Sequence, residues 1–133
     1  ESMGSRAKLL DNMGRHKEAV EGYTQVIKTD PSLYWPYIQR AIAYASLKQF
    51  DEAIADSTVL VERAPTDTDF IENRAGIYVK AGHLHKALDD YKKILELEPR
   101  HTYAKEKIAQ VEKLIGNVKA APAVKSVDKK NSQ

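Results

Sequence analysis

The residues able to do chemistry in this 133-residue chain are four histidines, 19 carboxylates and 21 lysine and arginine side chains. The histidines are His16, His83, His85 and His101. His83 and His85 lie two apart, a spacing that does not put both on one helical face. The His-Glu-x-x-His pattern, which sets two imidazoles and a base together for metal hydrolysis, does not occur. Cysteine is absent. That removes thiolate metal sites, cysteine nucleophiles and disulfide frameworks. There is also no Gly-rich phosphate loop and no Gly-x-Ser-x-Gly. The carboxylates sit at surface-pair spacings from lysine, as Asp89 does from Lys93. Such an i, i+4 pair contributes only about 0.2–0.5 kcal/mol, and no pocket is evident to shift its protonation. The residues predict no enzyme, no metal and no cofactor.

Charge narrows the partners. The formal net charge is +2. Residues 118–133 carry Lys119, Lys125, Lys129 and Lys130 against Asp128. The rest of the chain is therefore close to neutral and has no basic face for phosphates, so nucleic acid is not expected. No apolar run approaches the roughly 20 residues that span a bilayer. No signal-like leader is visible, and membrane binding is not expected. Absent cysteines fit a reducing compartment, and the expectation is a cytoplasmic protein.

The elements that must position these side chains repeat. Pro31, Pro65 and Pro99 are 34 residues apart. Arg6-Ala7, Arg40-Ala41 and Arg74-Ala75 keep the same step, as do Leu10, Tyr44 and Tyr78. So do Ala19, Ala53 and Ala87, and Val26, Leu60 and Ile94. Each unit reads as two amphipathic helices: Tyr37, Ala41 and Tyr44 follow i, i+4, i+7, and Ala53, Ser57 and Leu60 do the same. Gly14, Gly82 and Lys48-Gln49 mark the turns within units. Thr66 and Asp67 are candidate helix caps. Units at 1–31 (its start truncated), 32–65 and 66–99 are expected, then a capping helix over 100–117 to cover the last apolar face. The polar residues 118–133 are expected to form a flexible tail.

These columns resemble the tetratricopeptide repeat. Tyr37, Arg40, Ala41, Tyr44, Ala53, Ser57, Leu60 and Pro65 fall on that family's characteristic positions in the second unit. Ser57 stands where an aromatic is usual, and arginine stands where leucine is commoner. An arginine there is expected to pack its stem and keep its head in water. The resemblance implies an all-α, right-handed superhelical solenoid of helix–turn–helix repeats. It implies a scaffold or adaptor that holds a peptide or partner helix in a concave groove. The implied groove residues are Lys8, Asn12, Trp35, Ile38, Gln39, Ile42, Asn73 and Lys80. Trp35 and Ile38 are either groove anchors or packing against a neighbouring unit. Self-association, giving a homo-oligomer, is the alternative to a protein or peptide partner. The subclass that clamps the carboxylate tails of Hsp70 and Hsp90 expects cations and asparagines where this chain has Gly4, Lys8, Gln39, Asp69 and Asn73. The chain is therefore expected to stand outside that subclass.

Overall fold

A computed structural model describes residues 2–120. Seven helices follow in order: α1 (Met3–Asn12), α2 (His16–Thr29), α3 (Trp35–Ser46), α4 (Phe50–Arg63), α5 (Thr68–Ala81), α6 (Leu84–Leu97) and α7 (Thr102–Ala120). Each packs on the next, and α1, α3 and α5 also touch one another in series. The result is a solenoid of helix pairs, as the 34-residue step requires.

Local chemistry sets the ends of the helices. The Ser2 hydroxyl accepts from the Ser5 backbone N–H and caps α1. Asp67 caps α5 by accepting from the N–H groups of Asp69 and Phe70. Gly14 and Gly82 turn the chain with φ of 83°, a left-handed conformation that glycine adopts without steric cost. Lys48 takes the same place in the second unit at φ 61°.

Small residues let the helices close. Ala7, Ala19, Ala41, Ala53, Ala75 and Ala87 are all buried. A Cβ on Gly22 would lie 2.8 Å from that of Ala7, so α2 crosses α1 too closely for any side chain there. Tyr91, Ile94, Ala104 and Val111 are among the residues of the largest apolar cluster, and Ile108 and Ile115 pack against it from α7. The seventh helix thus covers the face that α6 would otherwise leave open. It runs through Gly116 to Ala120, further than its apolar pattern suggested. The remaining lysines of the expected tail lie outside the described residues.

The repeated arginines correct one expectation. Their heads do not stay in water where a carboxylate is within reach. Arg40 on α3 donates from Nε and Nη2 to Asp56 on α4, at 2.8 and 2.7 Å, and from Nη1 to Thr24 on α2 at 3.0 Å. Arg74 repeats this with Asp90 at 2.9 and 2.8 Å, and with Thr58 at 3.5 Å. Both aspartates are buried. A planar fork donating to both carboxylate oxygens is the geometry that compensates a buried carboxylate best. Arg6 has no such partner, because Gly22 occupies the equivalent place, and it stays exposed.

Candidate functional site: a two-hollow groove

The face shared by α1, α3 and α5 carries two hollows. The first, of about 410 Å³, is lined by Ser2, Gly4, Ser5, Lys8, Tyr23, Trp35 and Gln39. Its polar rim is joined by a hydrogen bond from Lys8 Nζ to Gln39 Oε1 at 3.1 Å. Its apolar wall is Trp35. The indole lies over Gly4, where a Cβ would come 3.1 Å from Cζ2 and closer still to Cη2. It also meets the Tyr23 ring edge-on, with centroids 6.4 Å apart. Even so, 37% of Trp35 remains exposed. The ring thus packs on the neighbouring unit and leaves its outer face open to the hollow.

The second hollow, of about 490 Å³, lies among α3, α5 and the start of α7. Ile38 and Asn73 line it, together with Tyr34, Phe70, Tyr91, Tyr103, Asp69 and Glu72. Five of the eight residues inferred from sequence therefore gather in the two hollows. Asn12, Ile42 and Lys80 line neither. They are exposed further along α1, α3 and α5.

Sequence reasoning missed the floors of these hollows. Tyr23 and Tyr91 belong to α2 and α6, the outer helices, yet each reaches through its unit to line the groove. They are 68 residues apart, two repeat steps, and that spacing was the available signal. Ser57 takes the intermediate place and bonds its own helix at Ile54 O instead. Burial pushes the Tyr23 and Tyr91 phenols up to about 12, with nearby acids adding to the shift. The folded state thus holds these protons more tightly than the unfolded chain, whose tyrosines ionise near 10. The associated stability is intact below pH 10 and is lost as pH rises toward 12. Thermal melts across pH 8–12 should stay level to about pH 10 and then fall. Absorbance titration at alkaline pH should show two late phenols, and Tyr91→Phe should remove one of them.

Among the described residues, no group of three histidine or carboxylate side chains is placed to hold a metal ion. None of the described helices is long and apolar enough to cross a membrane.

Comparison with known proteins adds to this geometry. The tetratricopeptide repeat family matches residues 1–33 and 69–101. This is a family of scaffolds, not of enzymes. Sperm-associated antigen 1 of Mus musculus is 31% identical over 104 residues, 78% of this chain and 11% of that protein. RNA polymerase II-associated protein 3 of the same species is 33% identical over 100 residues, 74% of this chain and 15% of that protein. The chain thus spans only a small part of the length of these relatives. The first TPR domain of Spaghetti (RPAP3), solved with the HSP90 peptide SRMEEVD, superposes with a TM-score of 0.73 at 25% identity, covering 86% of this chain and 90% of that one. This last likeness corrects the expectation that the chain stands apart from the carboxylate-clamp subclass. Five side-chain positions were too narrow a test, because the helix stack that presents a groove to such a tail is shared.

Proposed function

We propose that this chain is a protein-binding module built of tetratricopeptide repeats, and that it holds an extended segment of a partner protein along the α1–α3–α5 face. The observation that carries this reading is the pair of open hollows on one continuous face. Lys8, Gln39 and Trp35 serve the first, and Ile38 and Asn73 serve the second. Lys8 meets an acidic group of the ligand. Its present bond to Gln39 is exposed, so exchanging it costs little. The Gln39 amide offers a donor and, once Lys8 turns to the ligand, an acceptor, and the Asn73 amide nitrogen offers a further donor to an extended peptide backbone. Trp35 and Ile38 supply apolar contact area, with Ile42, Asn12 and Lys80 extending the site. In this reading the units are residues 1–31, 32–65 and 66–99, closed by 100–117.

The test is calorimetric titration with the heptapeptide SRMEEVD and with peptides selected from a random heptapeptide library. We expect saturable binding that falls about tenfold or more in a Lys8→Ala, Asn73→Ala double variant. Peptides that bind this variant as well as the parent would place the site elsewhere and overturn the reading.

Exposed Met3, Leu9 and Met13 on or beside α1 favour a second reading, in which a second copy stacks on this end. A mass from light scattering that stays monomeric at every concentration would exclude it.

A further inference from the structure

We propose that the second hollow is a seat for an arginine side chain of the bound segment, an inference that rests on the groove-binding reading above. Its lining holds three carboxylates, Asp67, Asp69 and Glu72, and no lysine or arginine. Asp67 is spent on capping α5. Asp69 and Glu72 remain. Facing Glu72 is the His101 ring, whose Nε2 lies 3.8 Å away, beyond hydrogen-bond range.

Carboxylates alone would attract any cation. The walls and floor are more selective. Tyr34 and Phe70 meet edge to face with centroids 5.6 Å apart, and Tyr103 stands exposed beside them. Lys107 Nζ sits 5.4 Å over one face of the Tyr103 ring, whereas no lysine or arginine among the described residues lies over Tyr34 or Phe70. The floor holds one phenol. Tyr91 is 1% exposed and lines the hollow. No side-chain hydrogen bond among the described residues involves its hydroxyl. Most polar groups of buried side chains are paired, so an unpaired phenol at the edge of an opening calls for a ligand that completes it.

A guanidinium fits this set. It is planar, stacks on aromatic faces and carries five N–H donors in a fixed fork. Two carboxylates and a phenol oxygen can each receive one. An ammonium offers three donors from a single point and does not stack, which makes lysine the poorer match.

The experiment is an NMR titration of the full chain with N-acetyl-arginine amide, N-acetyl-lysine amide and N-acetyl-citrulline amide. Citrulline keeps the shape of arginine and loses its charge. We expect saturable shifts at the Phe70, Glu72, Asn73 and Tyr103 amides, with arginine binding about tenfold tighter than citrulline. Asp69→Asn with Glu72→Gln should abolish that preference. Tyr91→Phe, which deletes one oxygen, should weaken arginine about threefold. Equal binding of citrulline, equal or tighter binding of lysine, or unchanged binding in the double variant would overturn the inference. The heptapeptide titrations separate the two ideas. Peptides that bind through Lys8 and Trp35 with no response to N-acetyl-arginine amide would leave the groove reading standing and this one fallen.

Discussion

Replacing Asp56 with alanine is expected to destabilise the fold by about 3 kcal/mol, the lower part of the range for breaking a buried ion pair. Asp56 is 5% exposed and receives both forks of Arg40. Without it, the Arg40 head keeps only Thr24 and the flanking Tyr37 and Tyr44 rings, 5.9 and 5.6 Å from its centre. The low figure reflects the 17% of the Arg40 side chain that still reaches water. Thermal denaturation should fall by about 10 °C. A paired Arg40→Met, Asp56→Leu variant should recover most of the loss, because an apolar pair of similar size leaves no unpaired charge. Arg6→Met is the internal control. That side chain is exposed and makes no ion pair among the described residues, so its change should stay within about 0.5 kcal/mol. An Asp56→Ala protein that melts with the parent would show that the ion pair holds nothing together.

Removing Trp35 should have the largest effect on binding. Trp35→Ala is expected to weaken a groove peptide by about 2 kcal/mol, roughly thirtyfold, as expected for a central aromatic anchor. The helical circular dichroism should remain near the parent's, because the ring is a wall of the groove and not part of a sealed core. Gly4→Ala probes the same contact from the other side. Its methyl would enter the space of the indole, so Trp35 must move although it is retained. The chain has one tryptophan, so its fluorescence reports that move without ambiguity. We expect a red-shifted emission and weaker binding together. Emission and affinity both unchanged in Gly4→Ala would show that the indole is not held against α1.

The fold was readable because its cause is periodic. A 34-residue step in proline, alanine and aromatic columns dictates paired helices that bury one face each, and the described residues form seven helices. The groove was less readable. Lys8 joins Trp35 and Gln39 although it is far from both in sequence, and only the stacking of α1 on α3 brings them together. The tyrosine floors escaped notice because Tyr23 and Tyr91 lie on helices whose pattern says core, and a phenol is long enough to be core at its ring and lining at its tip. The Arg40–Asp56 pair was also within reach. Asp56 and Asp90, like Thr24 and Thr58, share the same step, but polar columns draw less attention than apolar ones.

The uneven distribution of the arginine–aspartate pairs gives the stack a direction. Arg40 ties the second unit inward to Asp56 and backward to Thr24, and Arg74 does likewise one step on. The opening unit has no arginine–aspartate pair among the described residues, and its α1–α2 link is the contact of His16 with Asp11. In a linear array whose strength is summed between neighbours, opening begins where the couplings are fewest. Amide exchange should therefore run fastest in α1 and slow progressively toward α6. Lys8 sits on that loosest rod, so a ligand seated there would act as a clasp, slowing exchange at one end of the molecule while the other barely registers its arrival.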